Sequence, residues 1–247
     1  MMKKSIKTVA RSSLIGALVL CAVGCETFDA SLATAAALEA VQAATLTDDQ
    51  IRSLSRQAAA EQDTKNPVAP ASSAYAQRLN RLVQRHTNEQ GIALNYKVYL
   101  SDQVNAFAMA DGTVRVYSGL MDKLKDDELL FVIGHEVGHV VKGHSKRAAQ
   151  VAYTASAARK GAAALGGTAG SIAQSEIGAL SQQIITAQFS QHEEKDADDF
   201  GLSFMKRYGY PVSAAVSALR KLGDTGGGLL SSHPNPQSRA DRLAERL

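Results

Sequence analysis

The chain has no tryptophan and only two cysteines among its 247 residues. Both cysteines, Cys21 and Cys25, stand at the very start. The rest of the chain therefore carries no internal disulfide, and its stability has to come from a packed core. Aromatic residues are scarce and no basic tract follows the first dozen residues. That excludes the stacking platform and positive stripe of a nucleic-acid partner. Long hydrophobic runs are missing as well. Leu14 to Val23 is too short to span a bilayer, which takes about 20 apolar residues. The Ala/Gly run at 161–170 is shorter still in bulk. It also lacks the Gly-Lys-Ser/Thr ending of a phosphate loop, which discounts nucleotide binding.

What the N-terminus does contain is a targeting segment. Lys3, Lys4, Lys7 and Arg11 precede the short apolar run, which ends in Ala22-Val23-Gly24-Cys25. This ending resembles the lipobox of bacterial lipoproteins, and the resemblance implies cleavage before Cys25 and lipidation of that residue. Glu26 after the cysteine implies sorting to the outer membrane, with the remaining chain facing the periplasm. Loss of the four basic residues takes the formal charge from +3 to about −1, so the alkaline pI belongs mostly to the leader. Residues 1–24 thus read as a signal peptide, 25–71 as a tether and helical arm, and 72–247 as the compact domain. Within the arm, 32–45 and 48–62 each have helical character, the second opening on Asp48 as a cap.

The compact domain is organised around Asp126 to His144, DDELLFVIGHEVGHVVKGH. Asp126 or Asp127 can cap a helix whose acidic first turn suits the helix dipole. Leu129, Leu130, Val132, Ile133, Val137, Val140 and Val141 make that helix too apolar for a surface position. His135 and His139 lie one turn apart on one face and reach a single ion, with Glu136 beside them to hold a water. This is the HExxH pattern of zinc hydrolases. Two buried imidazoles and a carboxylate without partners would cost several kcal/mol, so the cluster needs a reason to exist. His144 falls on a rotated face, as an auxiliary or solvent-facing group and not a ligand.

Ahead of this helix, 72–91 reads as an amphipathic helix closed by Gly91, and 95–100 as an alternating strand. Strands 105–109 and 113–117 follow, joined at Ala110-Asp111-Gly112, a strong hairpin signal. A small antiparallel sheet therefore precedes the metal helix. Its strand at Asn105, Ala106 and Phe107 is a candidate edge for holding a peptide in extended form.

A catalytic zinc takes three protein ligands and keeps one position open. Ser181 to Tyr208 reads as one long helix that carries Glu193, Glu194 and, one turn after the latter, Asp198. Either glutamate can supply the third ligand by spacing. Asp198 is placed to accept from a ligand histidine and fix its tautomer. Pro211 ends this helix, 213–222 forms another, and the glycine-rich 223–232 delivers His233 on a mobile approach. A final helix at 238–247 carries Arg239, which can orient substrate or pair with a nearby acid.

Residues 189–198, FSQHEEKDAD, resemble the S-R-x-x-E-x-E-A-D segment of the HtpX and CAAX-prenyl-protease family of HExxH zinc peptidases. Gln191 stands where that family has Arg, and Asp196 where it has Glu. Asn105-Ala-Phe-Ala, Val116 to Leu120, and His233-Pro234 with Arg239 extend the resemblance over roughly 72–245. It implies a mainly helical α+β fold of gluzincin type holding one Zn2+ per chain on His135, His139 and Glu194. Glu136 is then the general base, and His233 stabilises developing charge on oxygen or caps the open metal position. The implied activity is endoproteolysis of unfolded or misfolded envelope proteins. The competing reading is an envelope assembly or chaperone lipoprotein whose metal site is idle or gated.

Overall fold

A computed structural model describes residues 46–164, 176–224 and 228–247. The leader, Cys25, the first arm helix expected at 32–45 and most of the Ala/Gly run lie outside the described residues. Helix α1 (Asp48–Lys65) opens on a capping box between Thr47 and Gln50, and α2 (Ala74–Val83) is capped by Ser73. A two-stranded ribbon, β1 (Asn88–Glu89) and β2 (Ile92–Ala93), turns at Gln90-Gly91, both in left-handed conformation. The main sheet is β3 (Asn95–Tyr99), β4 (Ala106–Ala108) and β5 (Thr113–Tyr117), in the order β3-β5-β4. The expected hairpin β4–β5 is antiparallel, with Ala106 opposite Val116 and Ala108 opposite Val114. Strand β3 joins the far side of β5 in parallel, so the three-stranded sheet is mixed.

Pleating sorts this sheet into two buried faces. Val98, Val114, Val116, Ala106 and Ala108 face the main core. Tyr99, Phe107 and Tyr117 face a second core built with Ile51 and Ala58 of α1. Arg115, on the same face as these aromatics, is also buried, and Asp63 near the end of α1 neutralises it through Nε at 2.8 Å and Nη2 at 3.0 Å. Lys97 and the Tyr99 hydroxyl reach the same carboxylate at 2.7 Å. The arm is thereby fastened to the sheet by one acid serving two cations.

The short helix α3 (Ser118–Lys123) leads into α4 (Asp126–Val141), the helix of the HExxH motif. Its cap is Lys125, one residue earlier than expected, because the Glu128 carboxylate turns back to accept from the Lys125 N–H at 2.8 Å. Every residue from Glu128 to Val140 is buried, as its apolar character requires. Next come α5 (His144–Ala164), α6 (Glu176–Ile185) and α7 (Gln191–Tyr208). The long helix expected over 181–208 is therefore two helices. Ser190 interrupts it by forming a capping box with Glu193, accepting from the Glu193 N–H at 3.3 Å while Glu193 accepts from the Ser190 N–H at 2.8 Å. Helix α7 ends on left-handed Gly209, two residues before Pro211. The chain closes with α8 (Ser213–Gly223), the single turn α9 (Leu229–Ser232) and α10 (Pro236–Ala244).

The crossing of α4 and α7 positions the site. A Cβ on Gly138 would meet the Ala197 Cα and O at 3.1 Å, and one on Gly134 would meet the Phe204 ring at 3.0 Å. From the other side, a Cβ on Gly201 would meet the Phe131 ring at 3.1 Å and the His135 N at 3.2 Å. Small residues at these contacts let the two backbones approach until side chains of both helices reach one point.

Candidate active site

His135 and His139 rise from α4 and Glu194 from the first turn of α7, where the helix dipole favours a carboxylate. His135 Nε2 and His139 Nε2 lie 3.1 Å apart. Glu194 Oε1 is 3.4 Å from His139 Nε2, and Oε2 is 3.6 Å from His135 Nε2. Of the two glutamates left open by spacing, Glu194 meets the histidines, whereas Glu193 is taken up by Ser190 and Arg147.

A hydrogen bond behind His135 sets its tautomer. His135 Nδ1 lies 3.0 Å from Asp198 Oδ1, a carboxylate that can only accept. Burial would raise the Asp198 pKa, but hydrogen bonds from His135 and Arg239 outweigh it and hold the carboxyl well below the usual range. Asp198 is therefore ionised and His135 carries its proton on Nδ1. His139 Nδ1 in turn faces His144 Nδ1 at 3.1 Å. Nε2 of both histidines is directed at the same small space beside a carboxylate. Two imidazole nitrogens and a carboxylate converging on one buried point form a donor set that fits a metal cation.

His233 comes to the same point. One donor atom from each of His135, His139, Glu194 and His233 falls within 4.8 Å of the others, and all four residues are buried. His233 Nδ1 is 2.9 Å from Glu194 Oε1 and 3.2 Å from His135 Nε2, while its Nε2 is 3.4 Å from Glu136 Oε1. Glu136 Oε1 is buried without a hydrogen-bond partner, an orphan acceptor facing the cluster. Burial pushes the Glu136 carboxyl up from its ordinary value, against the opposing pull of His233 and His135.

Arg239 takes the acid-pairing one of its two expected roles. Its Nε and Nη2 donate to Asp198 at 2.9 and 2.6 Å, and its Nη1 contacts Glu194 Oε2. Buried in this way it braces the ligand helix. His144 is buried behind His139, which corrects the solvent-facing alternative. Ala106 and Phe107 are buried and Asn105 half-buried. Phe107 packs into the second core, so only backbone groups of β4 remain to meet a peptide, and Ser145 Oγ already donates to Ala108 O at 3.0 Å.

Sequence reasoning missed Phe189. Its ring stacks on His139 with centroids 3.8 Å apart, and its N–H donates to Ser232 O at 3.2 Å, beside His233. The serine that starts α7 was the available signal, since a cap at Ser190 leaves Phe189 free to turn inward.

Residues 73–247 match the Peptidase family M48. The chain belongs to family M48. It is 42% identical over 229 residues to metalloprotease LoiP of Escherichia coli (strain K12), with 91% of each chain covered. It is 38% identical to metalloprotease YcaL of the same strain, again over 91% of each. Similarity extends at 29% identity to a beta-barrel assembly-enhancing protease of Yersinia pestis, covering 68% of this chain and 37% of that protein. As an M48 member with the metal-binding cluster intact, the protein is a metalloendopeptidase. Among the described residues, no helix of this M48 chain is long and apolar enough to cross a membrane.

Proposed function

We propose that this M48 chain is a zinc-dependent endopeptidase that cleaves unfolded or misassembled envelope proteins at the periplasmic face of the outer membrane. The observation that carries the reading is the convergence of His135 Nε2 and His139 Nε2 on Glu194, with orphaned Glu136 beside them. His135, His139 and Glu194 would hold one Zn2+. The ion supplies Lewis acidity, which polarises a peptide carbonyl and acidifies water. Glu136, buried and short of partners, takes the proton from the attacking water and returns it to the leaving amine. Asp198 keeps the His135 imidazole in the required tautomer, and Arg239 anchors Asp198 and Glu194 against the charge they share.

His233 acts as a cap in the closed protein and as an oxyanion donor once displaced. Its contact with Glu194 supports the first role. The turn that carries it is pinned at Leu229, whose N–H donates to Val104 O at 3.0 Å, immediately before strand β4. A peptide added along β4 would disturb that pin, so substrate entry and His233 release are coupled. Support for this substrate class comes from the similarity to a beta-barrel assembly-enhancing protease, together with a strand edge that reads backbone and not side chains. Membrane attachment is through lipidated Cys25; a Cys25→Ser variant should leave the membrane fraction.

The test is digestion of a denatured protein such as casein, with products read by mass spectrometry. Cleavage should be lost on chelation and restored by zinc. Glu136→Gln should bind zinc normally and cut nothing. Continued hydrolysis by that variant would sink the assignment.

A further inference from the structure

His139 differs from His135 in what stands behind it. His135 is backed by a charged carboxylate, Asp198, whereas His139 is backed by another imidazole, His144, at 3.1 Å. We propose that His144 is the positioning residue for His139, a neutral acceptor that fixes its tautomer and aims its Nε2 into the metal cluster. The inference rests on the metal-site reading above.

Local backbone geometry places His144 there. Gly143 has φ +77 and ends α4 in the left-handed region, with its N–H donating to Val140 O at 3.1 Å. Helix α5 therefore starts at once, and its first side chain folds back over the last turn of α4. His144 is 8% exposed, so its ring has little water to turn to.

Two Nδ1 atoms at this distance form a bond only if one carries the proton. His139 presents Nε2 to the cluster as a lone pair, so its proton is on Nδ1 and His144 Nδ1 accepts. The His144 proton is then on Nε2, turned toward Asp196 Oδ2 at 4.0 Å, a carboxylate also faced by His192 at 3.6 Å. Phe189 stacks on the other side of the His139 ring and sets its plane, but has no acceptor to offer. The two neighbours thus divide the work: packing from Phe189, proton placement from His144.

The experiment uses the full-length zinc-loaded protein labelled with 15N at histidine. A scalar coupling across the hydrogen bond between His139 Nδ1 and His144 Nδ1 is expected, with the His139 proton on Nδ1. Its absence overturns the proposal. In parallel, zinc affinity is measured by chelator competition. His144→Phe, which keeps a ring without an acceptor, should lose about 10–100-fold. His144→Asn, whose amide oxygen can accept near the old Nδ1 position, should recover most of that loss. Wild-type affinity in His144→Phe, or equal weakness in both variants, refutes the assignment. If neither variant folds, the coupling in the wild type still decides. A wild-type protein that takes up no zinc refutes the metal-site reading itself.

Discussion

Asp198→Ala tests the logic of the site most directly, because one carboxylate serves two purposes there. Asp198 is fully buried and bonds Arg239 at 2.6 and 2.9 Å while accepting from His135 Nδ1 at 3.0 Å. Its removal leaves the buried Arg239 charge with Glu194 alone. Breaking a buried pair in this way costs about 3–5 kcal/mol. For a domain of this size that lowers the melting temperature by roughly 6–20 °C. Arg239 then competes with the metal for Glu194, and His135 loses its tautomer lock, so zinc affinity should fall by a further factor of about 10–100. Thermal melts with chelator present report the first effect, and chelator competition the second. Combining Asp198→Asn with Arg239→Met removes both charges but keeps an acceptor for His135. That double variant should regain most of the stability and much of the affinity. The reasoning fails if Asp198→Ala melts with the wild type and binds zinc as well.

Gly138→Ala puts a methyl against the Ala197 backbone at 3.1 Å, forcing α4 and α7 apart and Glu194 away from the histidines. Zinc affinity should fall even where thermal melts show a loss of only about 1–3 kcal/mol. His233→Ala removes the cap and the oxyanion donor together: uncapping gains about tenfold if nine-tenths of molecules are capped, but loss of the donor costs about 100–1000-fold. Casein cleavage should therefore fall with zinc retained, and a rise would limit His233 to the cap alone. Asp63 predicts an acid-sensitive arm. Burial raises its pKa, but bonds from Arg115, Lys97 and Tyr99 prevail and bring it from 3.8 down to about 2. Its contribution, about 1–2 kcal/mol after allowance for solvent screening, is complete above pH 5 and disappears as pH falls through 2. Melting curves of wild type and Asp63→Asn should therefore converge between pH 5 and pH 2, and a constant gap would refute the assignment.

Local spacing was enough for the first half of the site. HExxH in an apolar helix dictates two imidazoles on one face with a carboxylate beside them, whatever surrounds them. The hairpin at Asp111-Gly112 and the helical class of the domain were equally legible, because turn chemistry and periodicity act over a few residues. The parallel placement of β3, the burial of both sheet faces and the break before Ser190 were not, since each depends on elements distant in sequence. The break is instructive: helical character runs through 186–190, and a capping box won over it.

The sequence by itself thus determined which residues hold the chemistry, namely His135, Glu136, His139 and one of two neighbouring glutamates. The family resemblance named Glu194 of the two, and tertiary structure brought it to the histidines through the glycines that let α4 and α7 approach. It also decided that Arg239 braces Asp198, that His144 backs His139 and that His233 closes the cluster. The physical reason is range. A helix fixes the positions of side chains three or four residues apart, whereas a metal site needs groups from separate helices, and only close packing between those helices sets their distances.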